Sequence, residues 1–352
     1  MADVFGVGIV GYGNAGRRFH RYLIGLEPGL EIRAIVARSE ERQAQARQDE
    51  PQAAVYDSLE ELLADKRVDL AVVATPHSSH AGICAAALGA GRNVVVDKVM
   101  CLTVEQADRI IAARDRSGRL FSVFQNRRWD GDYLTVRQVI ESGKLGEVFL
   151  IQSAIGSFYA PKRWRADRAH EGGILFDWGS HLVDQALQID SSGVETVFCS
   201  SVDRDEPDVR TEAYAQLHLC FRSGRIALIE RTNTGAIEAP RFRLLGRRGA
   251  FQKCGRDPQE QAMFAGDIRS ARDPEHLWGA LRYRDDAGQI VEQRVPTLPG
   301  DWPAYYRNIL AALRGQAPLA VTAEQCREQV RILEASVVSA RETRVVRLDE
   351  AF

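Results

Sequence analysis

The chain has 352 residues, 45% of them hydrophobic and 27% charged, with a formal net charge of -2. That length leaves room for two domains, and the composition is that of a globular chain rather than a disordered or fibrous one. The charge balance argues against a nucleic-acid or membrane-surface binder, and no apolar run approaches the ~18–20 residues of a membrane helix.

MADVFGVGIVGYG, at 1–13, runs straight into a strand pattern, without the basic stretch and small-residue cleavage site of a secretory leader. The six cysteines (84, 101, 199, 220, 254 and 326) are scattered, with no CxxC pair. Neither a disulfide framework nor a zinc knuckle is expected, and a reducing, cytoplasmic setting is.

In the first third, VFGVGIV, EIRAIVA, DLAVVAT, RNVVVDK and RLFSVF are short apolar runs separated by helix-length segments. Such runs suit a parallel sheet covered on both faces, with helices over 14–26, 78–89 and 103–117. Thr103 followed by Gln106 marks a helix N-cap. The expected fold class is α/β: a doubly wound Rossmann domain over 1–123, then an α+β domain over 124–352 with a large, mostly antiparallel sheet. In that second domain the pattern gives a helix at 130–142, a strand at 147–157 and a Gly-flanked helix at 172–188. TVFCSSV, YAQLHLCF, RIALIERT and FRLLGRRGAF follow as longer alternating runs, and helices near 301–313 and 322–341 close the chain.

GIVGYGNAG places Gly11, Gly13 and Gly16 between the first strand and the first helix, with Asn14 and Ala15 in the same turn. A tight turn, a bare backbone and a helix N-terminus are what a dinucleotide pyrophosphate needs, and the βαβ context confirms the motif. At the end of the second strand stand Arg38 and Ser39, with Arg42 one turn on. A carboxylate there would bind a ribose 2′-hydroxyl, whereas arginine accommodates a 2′-phosphate, so NADP is favoured over NAD. The alternative is a solvated helix start, with Glu40 or Glu41 reaching back to the ribose.

VVVDKV sets Asp97 and Lys98 just past an apolar strand, at the carboxyl edge where ligands of open α/β sheets bind. FDWGSH holds Asp177 and His181 four apart, on one helical face. GYGNAG, ATPHSSH, VVVDKV and GGILFDWGSH, in that order, resemble the glucose–fructose oxidoreductase/inositol dehydrogenase (Gfo/Idh/MocA) family along essentially the whole chain. QNRRWDGDYLT and GDWPAYY look most like its NADP-dependent scyllo-inositol dehydrogenase branch.

The resemblance implies an NAD(P)-dependent dehydrogenase acting on a small sugar, cyclitol or polyol. Lys98 matches the catalytic lysine, Asp177 and His181 the catalytic acid–base pair, and Thr75, Pro76 and His80 the segment along the cofactor. Histidine is a natural base for the hydroxyl proton, and lysine can stabilise alkoxide charge. The resemblance also implies a homodimer or homotetramer formed through the second domain's open sheet. Two residues depart from the family's Glu-Lys-Pro: Asp97 and Val99. A Lys98–Val99 bond is expected to be trans, since a cis bond not preceding proline costs about 3 kcal/mol.

His77 and His80 lack a third ligand at recognisable spacing, so no metal is expected. NRRW and PKRWRADR read either as cleft-lining segments or as solvated basic loops. Asn126, Trp164 and Tyr305 are candidate substrate contacts, and Asp184 a structural or supporting residue. Two rival readings are a glycoside-cleaving enzyme with transient substrate oxidation and a non-catalytic dinucleotide-binding regulator.

Overall fold

A computed structural model describes residues 4–171, 173–204, 209 and 211–349. Gly172, within the GGILFDWGSH motif, lies outside them. The chain divides into two compact units, 1–125 with 302–330, and 126–301 with 331–352. The segment 302–330, expected from sequence in the second domain, packs in the first. Trp302 is fully buried, with Phe19 stacked 6.0 Å away, and Arg114 and Asp108 of the first unit pair with Glu324 and Arg327 at 2.7 and 2.5 Å.

The first unit is built on six parallel strands: β1 (Phe5–Val10), β2 (Leu30–Val36), β3 (Ala54–Tyr56), β4 (Leu70–Val73), β5 (Asn93–Val96) and β6 (Phe121–Val123). Their order is β3-β2-β1-β4-β5-β6, so the chain reverses direction across the sheet between β1 and β4. Ligands of doubly wound sheets bind outside the carboxyl ends at such a switch point. β4 is wholly buried, as a central strand covered on both faces must be. The helix Val104–Ser117 begins as expected, Gln106 N donating to Thr103 Oγ1 at 3.2 Å, and ends at Gly118 in the left-handed conformation. β3 was not legible in the sequence, because three half-buried residues make no alternation.

The second unit carries a nine-stranded sheet, ordered β14-β13-β12-β11-β7-β10-β9-β8-β15. Its strands are β7 (Val148–Gly156), β8 (Val194–Asp203), β9 (Glu212–Phe221), β10 (Ile226–Thr232), β11 (Phe242–Gly246), β12 (Gly249–Lys253), β13 (Gly279–Arg284), β14 (Ile290–Val295) and β15 (Val346–Arg347). Only β7 and β10 pair in parallel. FRLLGRRGAF, read as one run, is the hairpin β11–β12. β9 shows why the sheet has one covered face: Ala213, Ala215, Leu217, Leu219 and Phe221 are buried, while Gln216 and His218 are exposed. All six cysteines are free thiols, and no helix among the described residues is long and apolar enough to cross a membrane.

Candidate active site

The glycine turn behaves as three different residues. Gly11 has φ 96°, and a Cβ there would stand 2.5 Å from the Ala74 carbonyl oxygen. Gly16 sits so close to the turn that a Cβ would meet the Gly11 carbonyl oxygen at 2.0 Å. A Cβ on Gly13 would meet nothing within 4 Å. The first and third glycines therefore close the turn onto β4 and the helix, and the second leaves bare backbone facing open space. That is the cradle a pyrophosphate requires, so the residues present fit a dinucleotide. Asn14 is exposed at the start of the following helix. Tyr12, between the first two glycines, donates to Asp49 Oδ2 at 3.0 Å, and Arg17 grips both oxygens of the same carboxylate at 2.6 and 3.2 Å. This pair ties the turn to the far end of the helix Glu40–Asp49.

Arg38 and Ser39 follow β2 after one intervening residue and both are exposed. Ser39 caps the helix Glu40–Asp49, its Oγ accepting from Arg42 N at 3.3 Å, and Arg42 reaches Gln45 rather than Arg38. The strand end thus presents a free-standing guanidinium and a hydroxyl, with no carboxylate at that position.

After β4, Thr75 and Pro76 are half-buried, and Ser79 Oγ donates to Thr75 Oγ1 at 2.7 Å. His80 is fully buried, with Nδ1 2.8 Å from the Val99 carbonyl and Nε2 2.9 Å from the Thr75 carbonyl. Burial holds its imidazole below the ordinary histidine value, against the pull of the two carbonyls. A neutral imidazole has one N–H, so it can donate to one of these carbonyls at a time. His80, which the resemblance places along the cofactor, ties the end of β4 to the lysine segment. The Lys98–Val99 peptide is cis, which corrects the expectation of a trans bond. Asp97 and Lys98 are half-buried just past β5, and Asp97 Oδ1 accepts the Lys98 backbone N–H at 2.9 Å.

In the second unit, Asp177 lies in a π-helical turn, Leu175–Gly179, that runs into the helix Ser180–Ile189 carrying His181. One π-turn spans more residues than an α-turn, so the continuous α-helix expected around FDWGSH is corrected here, and such insertions gather at functional sites. Asp177 is half-buried and His181 is 4% exposed. The Trp178 ring stands edge-on to His181, centroids 5.9 Å apart, with the Arg127 guanidinium 3.9 Å over its face.

Of the two basic segments, NRRW is turned inward, whereas PKRWRADR leaves Lys162 and Arg168 exposed. Arg128 is buried and holds Asp184 bidentately at 2.8 and 2.7 Å, one turn past His181, so Asp184 is the structural partner expected. Arg127 reaches Asp130 at 3.3 Å and Glu260 at 3.0 Å. Asn126 is buried at the head of the 3-10 turn Asn126–Trp129, and Trp164 is half-buried under the Arg165 guanidinium at 4.4 Å. Tyr305, a candidate substrate contact, donates to Ser122 Oγ at 3.0 Å and is 1% exposed, which makes it part of the first unit's core.

Two residues near Lys98 were missed. His20 is fully buried with Nδ1 2.7 Å from Tyr306 Oη, and its Nε2 faces Asp97 Oδ1 at 3.9 Å. Burial pushes its pKa down to about 4 against the opposing pull of Asp97, so near pH 7 the ring is neutral and this contact is not an ion pair. Burial likewise pushes the Tyr306 phenol far above its ordinary value. The available signal was a histidine on the inner face of the helix that follows the glycine turn.

Comparison with known proteins supports the same architecture. The model of the oxidoreductase family with an NAD-binding Rossmann fold matches residues 5–125, and that of the GFO/IDH/MocA C-terminal domain matches 133–252. The oxidoreductase YdgJ of Escherichia coli is 34% identical over 97% of this chain and 98% of its own. The scyllo-inositol 2-dehydrogenase (NADP(+)) IolW of Bacillus subtilis is 32% identical over 99% and 97%. Among solved structures, yvaA from Bacillus subtilis superposes with a TM-score of 0.91 at 30% identity, covering 99% of both chains.

Proposed function

Because the chain belongs to the Gfo/Idh/MocA family of NAD(P)-binding oxidoreductases, we propose a specific chemistry for it: hydride transfer between NADP and a secondary alcohol or ketone carbon of a sugar, cyclitol or polyol. The observation that carries the reading is the shared carboxyl edge of the first sheet. There the open backbone of Gly13 follows β1 and Lys98 follows β5. Gly11, Gly13, Asn14, Ala15 and Gly16 would hold the pyrophosphate, and Thr75 and Pro76 would line the path toward Asp97 and Lys98.

When bound, the nicotinamide supplies the hydride acceptor. In the oxidative direction His181 takes the hydroxyl proton as the carbon is oxidised, and in reduction it returns that proton. Lys98 donates a hydrogen bond to the alcohol oxygen and stabilises its developing negative charge. Asp177 orients the hydroxyl. The NADP preference rests on Arg38 and Ser39, since a guanidinium can grip a 2′-phosphate that a carboxylate would repel. The NADP dependence in the name of the similar Bacillus protein points the same way. Cyclitols head the substrate classes for the same reason.

The exposed face of the nine-stranded sheet, with Tyr214, Gln216, His218 and Cys220 outward on β9, is proposed to meet a second copy of the chain in a dimer or tetramer. Six free thiols support a reducing, cytoplasmic setting.

The test is a panel of inositols, aldoses and keto-sugars, assayed with NADP and NAD separately. Lys98→Ala and His181→Ala should each lower kcat/KM by about 10²- to 10⁴-fold. A variant that turns over the best substrate as fast as the parent overturns its assigned role. Arg38→Asp should reverse the cofactor ratio, and an unchanged ratio would sink the NADP preference.

A further inference from the structure

Two π-helical turns occur among the described residues, Leu175–Gly179 around Asp177 and Ala15–His20 after the glycine turn. The second of these ends on His20, to which the proposed chemistry gives no task. His20 Nε2 is buried without a hydrogen-bond partner. An unmet buried donor or acceptor costs about 1–3 kcal/mol, so a histidine held in this state calls for a reason.

Its surroundings supply one. Phe124 lies 4.4 Å from the ring, centroid to centroid, and Tyr306 Oη lies 2.7 Å from Nδ1. A neutral imidazole carries one proton, on either nitrogen. If Nδ1 held it, the Nε2 lone pair would point at the Asp97 carboxylate, lone pair against negative charge. If Tyr306 instead donates to Nδ1, the proton sits on Nε2 and points toward Asp97 Oδ1, 3.9 Å away. That gap is too long for a hydrogen bond, but the N–H dipole of a fully buried ring still attracts a carboxylate whose side chain is 16% exposed. The same Oδ1 accepts the backbone N–H of Lys98 at 2.9 Å. One oxygen therefore joins the buried ring to the peptide that carries the lysine.

We propose that His20 is a positioning residue for Lys98: Tyr306 fixes its Nε2–H tautomer, and Nε2–H holds the Asp97 carboxylate that sets the lysine backbone. Unlike His80, which also grips this segment, His20 works through a side chain rather than through carbonyls. The inference rests on the dehydrogenase reading, in which Lys98 meets the reacting oxygen.

The first test needs no turnover. Imidazole nitrogen chemical shifts of the cofactor-free protein, which has seven histidines, are assigned to His20 by the signal lost in His20→Gln. The expected result is a neutral ring protonated at Nε2 near pH 7, changed in Tyr306→Phe. A ring protonated at Nδ1 overturns the proposal. The second test uses the fastest substrate of the panel with NADP. His20→Ala should lower kcat about ten- to hundred-fold with both KM values within two-fold. His20→Gln, whose amide nitrogen falls near the place of Nε2, should recover most of that loss, and His20→Asn should not. A His20→Ala kcat within two-fold of the parent, or equal losses in the Gln and Asn variants, overturns the proposal. Lys98→Ala separates the two levels: if it stays as active as the parent, the catalytic role of Lys98, on which the positioning role rests, fails. If it is inactive while His20→Ala runs at full rate, only the positioning role fails.

Discussion

Around Lys98 the first unit buries rings that carry no charge near neutral pH, whereas around His181 the second unit buries guanidinium groups and carboxylates. His20, His80, Tyr305 and Tyr306 meet hydroxyls and carbonyls. Arg127, Arg128 and Arg241 meet Asp130, Asp184 and Asp132 at 3.3, 2.7 and 3.1 Å. The two solutions hold their neighbours with different stiffness. Losing a neutral hydrogen bond costs about 1 kcal/mol, while removing one member of a buried ion pair strands the other. The helix bearing His181 is thus fixed hard through Asp184, and the segment bearing Lys98 is held by weaker contacts.

The largest effect that would break this contrast is on the Arg128–Asp184 pair, both side chains under 10% exposed. Asp184→Ala should destabilise the protein by about 3–5 kcal/mol, because it leaves a bidentate guanidinium buried without its carboxylate. Urea midpoints of the second unit's transition check it. A loss below about 1 kcal/mol would mean that the buried arginine finds other partners and that the second unit is no stiffer than the first.

The same contrast explains what could be read from sequence. Apart from β3 and the segment 302–330, the first unit was legible because its elements obey local rules: Thr103 caps its helix, and the glycines sit between strand and helix where the turn needs them. The second was legible as a sheet but less so as a site. NRRW reads equally as a cleft-lining segment or a solvated loop, and only folding shows Arg127 and Arg128 turned inward on partners as far along the chain as Asp184 and Glu260. Charge in a sequence signals solvent by default, and its burial depends on partners that no local window contains. β13 and β14 were missed for a related reason, since their exposed arginines, glutamine and glutamate hide the alternation. The cis Lys98–Val99 bond ran against the residue-level rule that reserves such bonds for proline.

A pH series sharpens the comparison, because one buried group in each unit responds with opposite sign. His20 has a folded pKa pushed down to about 4 by burial, below its ordinary value of 6.5. The unfolded chain therefore binds that proton first as pH falls, so stability is present above about 6.5 and declines through the window down to about 4. By pH 5 the loss from this group is about 2 kcal/mol relative to pH 7.5. Asp257 runs the other way: burial and the neighbouring Asp132 raise its pKa, so its folded carboxyl takes up a proton before the unfolded one and gains stability as pH falls. Urea midpoints from pH 7.5 to 5 should fall less steeply for His20→Gln than for the parent, and more steeply for Asp257→Asn. Parallel curves for all three proteins would show that neither group carries the pH dependence.

The smallest effects lie in the glycine turn, where tight packing and reserved space stand three residues apart. Gly16→Ala should cost about 1–3 kcal/mol, since its methyl would collide with the Gly11 carbonyl oxygen at 2.0 Å and backbone must move. Gly13→Ala meets nothing within 4 Å and should change the stability of the cofactor-free protein by no more than about 0.5 kcal/mol. Its methyl would instead stand where a pyrophosphate has to approach the backbone, so NADPH affinity should drop about ten-fold or more in a fluorescence titration. If Gly13→Ala binds NADPH as the parent does, the open space beside it is not the phosphate cradle. If it lowers stability as much as Gly16→Ala, the two glycines share one packing role and the turn keeps no space for a ligand.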